Sequence, residues 1–179
     1  MPELERWVLH RLAELDRLMR QGIADYDYHA IFTALHNFCA VDLSAFYFDI
    51  RKDRLYCDGS DDLRRRATRT VLDRTFDCLV RWLAPILCFT AEEAWLARYG
   101  DSPADDQNMR SIHCELFAEA PAEWHDAVLA ARWGGLRDLR RVVTGALEIA
   151  RAEKRIGSSV QAAVHIFAPA SLVAALGDV

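Results

Sequence analysis

Apolar residues recur at steps of three and four positions along most of this chain, the spacing that puts side chains on one face of an α-helix. The first such run follows Pro2, and the acidic Glu3 and Glu5 beside it favour a helix N-terminus. The spacing therefore predicts an amphipathic first helix that ends near Gly22. Its predicted core positions are Leu4, Trp7, Val8, Leu12, Leu15 and Met19.

A second helical stripe follows, with Asp25 or Asp27 as its predicted N-cap. It extends to about Leu55, and the turn-forming residues at 57–62 end it. The predicted core positions of this helix are Ile31, Leu35, Phe38, Ala45 or Phe46, and Ile50.

A third long helix is predicted from about Asp62, and Pro85 ends or kinks it. A short fourth helix is predicted from the capping-box spacing of Thr90 and Glu93, and Gly100 closes it. The predicted inward-facing residues of the two helices are Ala67, Val71, Phe76, Cys78, Leu79, Trp82, Leu83, Ile86 and Trp95.

The remainder of the chain is less regular. Residues 100–120 predict an irregular connection with a brief extended piece over 111–117, and Pro121 is the predicted start of a last long helix that ends near Gly157. Residues 160–166 have the apolar alternation of one short strand. The predicted core positions of this part are Trp124, Val128, Leu136, Leu139, Val143 and Leu147 in the helix, and Val160, Ala162, Val164 and Ile166 in the strand.

These elements predict an all-α fold, a helix bundle over 1–157 with a short C-terminal extended segment. Because one strand is not stable alone, residues 158–179 are expected to be the start of a truncated second region. The composition agrees with a folded domain, since 52% of the 179 residues are hydrophobic and 27% are charged.

The compartment is expected to be the cytoplasm. No apolar run approaches the roughly 18 to 20 residues of a membrane-spanning helix, and the N-terminus is acidic where a secretory signal is basic. The five cysteines include no Cys-x-x-Cys pair, so most of them are expected to be reduced and buried.

The residues predict no catalytic, metal or cofactor site. The chain has no phosphate-binding glycine loop, nucleophile elbow or His-Glu-x-x-His sequence, and its six histidines are scattered. Asp42 and Asp49 are seven positions apart and are expected on one side of the second helix, where ion pairing is the favoured interpretation.

The net charge of −5 conceals two basic stretches. Residues 51–81 carry nine Lys or Arg against six Asp or Glu, and residues 132–155 carry seven against three. The first stretch includes four arginines, Arg64, Arg65, Arg66 and Arg69, at a predicted helix N-terminus, where the helix dipole disfavours cations. Two interpretations stay open for them: an anionic partner, or neutralisation by Asp61 and Asp62.

The second basic stretch leads into small polar residues at 157–159, whose backbone amides or hydroxyls are suited to contacting phosphate. On the final helix Arg137 and Arg141 are one turn apart, with Arg140 beside them. Arg151 and Arg155 repeat that step, so a basic stripe is predicted along this helix.

Four blocks resemble the anticodon-binding helical domain of bacterial isoleucyl-tRNA synthetases, which are class I enzymes. They are Glu5-Arg-Trp-Val-Leu, residues 38–56, residues 79–95 and residues 153–162. The third block also resembles valyl- and leucyl-type domains. The resemblance implies a helix bundle packed against the tRNA anticodon arm, and residues 160–179 look like the opening of a following mixed region.

The adenylate-forming HIGH and KMSKS sequences of class I synthetases do not occur here, nor do an editing domain or a cysteine-rich zinc tail. The chain alone is therefore expected to be inactive, with ATP and magnesium implied only for a full-length enzyme. The resemblance implies isoleucine tRNA and a catalytic domain of the same enzyme as partners, no membrane, and a monomer.

Arginine pairs with phosphate or stacks on unpaired bases, lysine acts as a point charge, and tyrosine and serine supply stacking and hydrogen bonds. Two alternatives remain: a valyl- or methionyl-type anticodon-binding domain, and a helical protein-interaction module. The predicted tRNA-binding residues are Arg51, Lys52, Arg54, Tyr56, Arg64, Arg65, Arg137, Arg141, Lys154, Arg155, Ser158 and Ser159.

Overall fold

A computed structural model describes residues 1–100 and 111–169 of the chain, and these residues contain helices and no strand. Three 3₁₀ turns lie at Ile112–Cys114, Ala122–Trp124 and Ser159–Gln161. The chain divides into two compact units, Met1–His125 and Asp126–Val179. The helices are α1 Glu3–Ala24, α2 Tyr28–Asn37, a π-helical segment Phe38–Phe48, α3 Asp49–Cys57, α4 Leu63–Leu83, α5 Cys88–Tyr99 and α6 Ala127–Ala152.

Helix α1 is the centre of the first unit. It packs against α2, α4 and the 3₁₀ turn Ala122–Trp124. All six of its predicted core residues are buried, so the prediction from their spacing is confirmed. Because α1 has neighbours on several sides, its buried stripe also takes in polar residues, among them Glu5, His10 and Asp16.

The corner between α1 and α2 is closed by backbone hydrogen bonds. Asp27 N donates to Gly22 O at 2.8 Å and Tyr26 N donates to Ile23 O at 3.3 Å, the paired bonds of a Schellman motif. This motif places Tyr26 at φ 57°, in the left-handed region. Asp27 is the N-cap of α2, because its Oδ1 accepts from Ala30 N at 3.0 Å.

Helix α2, the π-helical segment and α3 form one continuous helix, Tyr28–Cys57, as predicted in extent. The π-helical turns change the phase of its buried face, because each holds more residues than an α-helical turn. Leu43 and Tyr47 are buried, whereas Ile50 is 38% exposed, so the prediction of Ile50 as a core residue is wrong.

The same change of phase separates Asp42 from Asp49. Asp42 is buried and its Oδ2 accepts from Arg11 Nε at 3.0 Å, while Asp49 is exposed and contacts Lys52 Nζ at 3.1 Å. The prediction that the two carboxylates share one side is therefore wrong. The preference for ion pairing is confirmed for both.

The Tyr28–Cys57 helix also corrects the expectation that no segment has the length and composition of a membrane span. Its mean hydropathy over the most apolar window is 1.2, enough on composition alone. Core helices of soluble proteins have the same properties, and Phe38, Leu43 and Tyr47 of this helix are buried within the first unit.

Helix α4 begins after its N-cap Asp62 and ends at Leu83, two residues before Pro85, as predicted. Helix α5 begins at Cys88, two residues before Thr90, so the predicted capping box is wrong. Gly100 is the C-cap of α5, as predicted. Between the two helices lies a buried cluster of Val80, Ala84, Ala91, Trp95 and Ile112.

The segment 111–125 crosses the bundle without regular helix or strand apart from its two 3₁₀ turns. The carbonyl oxygen of Ala118 accepts from Arg20 Nη2 at 3.0 Å and from Trp82 Nε1 at 3.4 Å, which fastens the segment to α1 and α4. The predicted extended piece at 111–117 is wrong over Ile112–Cys114. Residues 101–110 of the predicted irregular connection lie outside the described residues.

The second unit contains α6 and the segment after it. Helix α6 begins at Ala127, capped by Asp126, and not at Pro121 as predicted. Leu129 is its buried residue, while Val128 is 83% exposed, against the prediction for that position. Residues 162–169 form no strand, so that prediction is wrong for the described residues, and 170–179 lie outside them. The predicted domain boundary after Gly157 stays a prediction.

Candidate nucleic-acid interface

Arg51 is part of the interior of the first unit. Its Nε and Nη2 donate to the two carboxylate oxygens of Glu5 at 2.6 and 2.8 Å, and Thr68 Oγ1 donates to Glu5 Oε1 at 3.0 Å. Glu5 is 1% exposed and the Arg51 side chain 18%. Three helices, α1, α3 and α4, therefore meet at one carboxylate, and the guanidinium of Arg51 is committed to it.

Tyr47 lies at the same cluster and is fully buried. Burial, followed by the nearby charge of Glu5, raises the pKa of its hydroxyl, so Tyr47 is neutral at any physiological pH. Asp42, Tyr47 and Arg51 come from one continuous helix, and the π-helical turns bring all three to its inner side.

Lys52 is exposed and Arg54 is half-buried at the end of α3, each beside a carboxylate. Lys52 Nζ lies 3.1 Å from Asp49 Oδ1, and Arg54 Nη1 lies 3.2 Å from Asp58 Oδ2. These local pairs offset the charges of the two cations.

Arg65 joins the end of α3 to the start of α4. Its Nε donates to the carbonyl oxygen of Leu55 at 3.1 Å, which makes it a structural residue of this corner. The next residue, Tyr56, is 86% exposed. The Tyr56 ring is therefore exposed to solvent at a corner where a hydrogen bond joins α3 to α4.

The open question of neutralisation at the α4 N-terminus is answered in part for the described residues. Asp62 Oδ1 accepts from the backbone amides of Arg64 and Arg65 at 2.8 and 2.9 Å, so it acts as an N-cap. These amide bonds, the one from Arg65 first, lower the pKa of the Asp62 carboxyl. Among the described residues no arginine side chain lies within salt-bridge distance of Asp61 or Asp62, but the charges of Arg54 and Arg64 also lower the pKa of Asp62.

Arg64, Arg66 and Arg69 are exposed, and no described side chain or carbonyl accepts a hydrogen bond from their guanidinium groups, although Asp62 attracts the charge of Arg64. Arg66 and Arg69 belonged to the basic stretch seen in the sequence but not to the predicted binding residues. The signal that identifies them is position: they lie on the solvent side of α4, opposite the buried Thr68, Val71 and Thr75.

The basic residues of α6 form a separate surface in the second unit. Arg141 is exposed and its Nη2 lies 2.8 Å from Asp138 Oδ1, and Arg151 Nη1 lies 2.8 Å from Glu148 Oε1. Arg137 is half-buried and has an interaction of its own. The predicted basic stripe is thus present along α6 but is interleaved with carboxylates.

Lys154 and Arg155 close the C-terminal end of α6. Arg155 N donates to Ala150 O and Lys154 N to Arg151 O, both at 2.9 Å, a second Schellman motif with Lys154 at φ 57°. Both side chains are exposed, and Arg155 Nη2 lies 2.6 Å from Glu153 Oε2. The motif points two consecutive cations into solvent at a defined turn.

The turn at 157–159 is organised by Gln161 and not left open for phosphate. Gln161 Oε1 accepts from Gly157 N at 2.8 Å and from Ser158 N at 3.2 Å, so the two amides are occupied. Ser158 is the N-cap of the 3₁₀ turn, and Ser159 is exposed. Of the groups expected to meet phosphate here, the Ser159 hydroxyl faces solvent.

The described residues hold no group of three or more His, Cys, Asp or Glu arranged for a metal ion. The rings of His10 and His125 lie 4.9 Å apart between α1 and the segment 111–125. The expectation that most cysteines are buried is wrong, since Cys57, Cys88 and Cys114 are exposed, Cys39 is half-buried and Cys78 is buried.

Comparison with known families decides between an anticodon-binding domain and a helical protein-interaction module. A family model described as the anticodon-binding domain of tRNA ligase matches residues 5–166. The chain belongs to this family. This anticodon-binding domain of a tRNA ligase contains both described basic surfaces, and its helical fold agrees with the predicted all-α class.

Curated relatives of the domain are isoleucine-tRNA ligases. The protein of Agrobacterium fabrum is 55% identical over 98% of this chain, that of Mesorhizobium japonicum 53% over 100%, and that of Bartonella henselae 50% over 93%. The chain spans only 18%, 17% and 16% of the length of these three proteins. The identities of 50 to 55% over at least 93% of the chain confirm the resemblance to the isoleucyl type.

Proposed function

We propose that this chain binds the anticodon arm of isoleucine tRNA as part of an isoleucine-tRNA ligase. The observation that carries the proposal is the 55% identity to such a ligase over 98% of the chain. In that enzyme the domain positions the tRNA for ATP-dependent aminoacylation in the cytoplasm, by a catalytic domain that uses ATP and magnesium. The chain acts as a monomer and carries out no chemistry by itself.

The contacts are electrostatic and lie on the exposed part of the predicted residues. Phosphate groups are bound by Lys52, Arg54 and Arg64 in the first unit and by Arg141, Lys154 and Arg155 in the second. Tyr56 stacks on an unpaired loop base. We leave out Arg51 and Arg65, because Glu5 and the Leu55 carbonyl hold them, and Arg137, Ser158 and Ser159 have a lesser part.

The test is a titration of this chain with a fluorescently labelled anticodon stem-loop of isoleucine tRNA, beside a stem-loop of the same stem and a scrambled loop. Binding that favours the isoleucine loop and weakens as salt rises supports the proposal, because phosphate contacts release counterions. Equal binding of both loops contradicts the specificity, and tighter binding of a valine or methionine stem-loop assigns the domain to another synthetase.

Catalytic inactivity is tested separately by isoleucine-dependent exchange between ATP and pyrophosphate. The purified chain is expected to give no exchange above a no-enzyme control. Exchange that depends on both the chain and isoleucine would overturn this part of the proposal.

A further inference from the structure

Three arginines at the start of α4 differ from the cations of the neighbouring α3 in having no hydrogen-bonded or ion-paired partner. Arg64, Arg66 and Arg69 are exposed, and no hydrogen bond or ion pair within residues 1–100 and 111–125 engages their side chains. Lys52 and Arg54 on the neighbouring α3 each lie beside a carboxylate. The uncompensated positive charge of this corner therefore belongs to α4.

The position of these arginines has no explanation in the stability of the helix. They lie in the first two turns of α4, where the positive end of the helix dipole repels cations. The Asp62 carboxylate accepts from two backbone amides, and its attraction to arginine reaches Arg54 and Arg64 but neither Arg66 nor Arg69. An anionic ligand would supply the missing counter-charge.

Tyr56 adds an aromatic surface next to this charge. Its neighbour Leu55 is held by Arg65, which lies between Arg64 and Arg66 in the first turn of α4. The Tyr56 ring is 86% exposed and has no hydrogen bond or ring contact with another described residue. An exposed aromatic ring beside free arginines is the combination that binds single-stranded nucleic acid through bases and backbone together.

We propose that Arg66 and Arg69, flanked by Arg64, bind consecutive phosphates of an RNA strand whose unpaired base stacks on Tyr56. Arg66 and Arg69 are three residues apart and are therefore neighbours on the helix surface. This inference rests on the proposed function and deepens it. It moves the main contact of the first unit from the predicted residues of α3 to two arginines of α4.

The experiment measures affinity against salt concentration for the single variants R66Q and R69Q, with the anticodon stem-loop as the probe. Each variant is expected to bind more weakly and to reduce the slope of log affinity against log salt by about one, the contribution of one phosphate contact. The double variant is expected to reduce the slope by about two.

The matched control is R17Q on α1. Arg17 is also exposed and without a partner in the described residues, and R17Q changes the net charge by the same amount. It is expected to leave the slope unchanged. An equal reduction in R17Q, R66Q and R69Q would show a general effect of net charge and would overturn the inference.

Tyr56 is tested by Y56F and Y56A. Phenylalanine keeps the ring and is expected to keep the affinity, whereas alanine loses the stacking and is expected to bind more weakly with an unchanged salt slope. Equal affinity of Y56A and the unmodified chain would remove Tyr56 from the site.

The outcomes separate the two proposals. Salt-dependent binding that R66Q and R69Q leave unchanged overturns this inference and keeps the proposed function. Failure of the unmodified chain to bind any stem-loop overturns both. A far-ultraviolet circular dichroism spectrum of each variant confirms that α4 is intact.

Discussion

Arg51 and Glu5 form a bidentate ion pair in the interior of the bundle, with N–O distances of 2.6 and 2.8 Å. The residues are 46 positions apart and belong to α3 and α1. Thr68 of α4 donates to the same carboxylate. This pair fixes α3 on the bundle. It thereby helps to set the position of the α3–α4 corner, which carries Tyr56 and the free arginines.

Removal of one partner of this pair is expected to be strongly destabilising. Arg51→Ala leaves the buried Glu5 carboxylate without its counter-charge, which costs about 3 to 5 kcal/mol of the free energy of unfolding. Urea denaturation followed by circular dichroism measures this loss.

The control for Arg51→Ala is Arg98→Ala, which breaks the solvent-exposed pair with Asp73 on α4. Exposed pairs of this kind contribute about 0 to 1 kcal/mol. Similar small losses for both variants would contradict the structural role assigned to Arg51.

Tyr26→Gly is expected to stabilise the first unit. Tyr26 is at φ 57° and is 78% exposed, so the substitution removes a strained backbone and little packing. Glycine at a left-handed position removes about 1 kcal/mol of backbone strain. Its greater conformational freedom in the unfolded chain cancels part of this gain. Thermal unfolding is expected to show a small rise in Tm for Tyr26→Gly and none for Tyr26→Ala.

The free energy of unfolding is expected to decrease in mild acid because of His10. The ring is 1% exposed, and burial, opposed by Glu14 and aided by His125, lowers its pKa below the ordinary value of 6.5. As pH falls below 6.5, the unfolded chain takes up a proton before the folded one, so stability is lost from there down to the folded pKa.

The measurement for His10 is the urea midpoint at a series of pH values from neutral to mildly acidic. His10→Gln is expected to have a flatter pH dependence than the unmodified chain, whereas His36→Gln, at an exposed position, is expected to keep it. An identical pH profile for His10→Gln and the unmodified chain would contradict the prediction.

Cys78 is expected to be the slowest cysteine to react with a thiol reagent. Burial raises the pKa of its thiol to about 12, and the thiolate is the reactive form. At mildly alkaline pH, Cys57, Cys88 and Cys114 are expected to react quickly in the folded chain, since all three are exposed. Mass spectrometry of peptides after timed alkylation identifies each site, and rapid labelling of Cys78 without denaturant would refute the assignment.

The sequence was sufficient for elements with a clean period and clear end signals. All six core positions that the apolar spacing predicted in α1, from Leu4 to Met19, are buried, and Pro85 and Gly100 marked two helix ends. These signals are local, since they depend on side-chain spacing and on backbone donors near the residue concerned. They hold whatever the helix packs against.

The errors arose where a distant contact or a change of helix type decides the outcome. A period of 3.6 residues put Ile50 inside and left Arg51 on the surface, because a π-helical segment cannot be read from that period. Its buried partner Glu5 is 46 residues away. At Pro121 a 3₁₀ turn forms in place of the predicted helix, and Asp126 supplies the cap further along.

The candidate binding residues divide on the same grounds. Residue type and clustering identified the basic stretches, but only the structure distinguishes an arginine committed to a carboxylate, such as Arg51, from a free one, such as Arg66. Whether an arginine forms an ion pair depends on how the helices are arranged in space, and a count of charges along the sequence carries no information on that arrangement.

The π-helical segment Phe38–Phe48 has a consequence for how the chain tolerates changes of length. Its wide turns hold an extra residue that an ordinary α-helical turn would exclude. A one-residue deletion there is expected to be absorbed by a tighter winding, whereas a deletion of Asp49 or Ile50 is expected to turn Arg51 away from Glu5. Single-residue gaps between related sequences should therefore fall inside Phe38–Phe48 and spare the residues that follow.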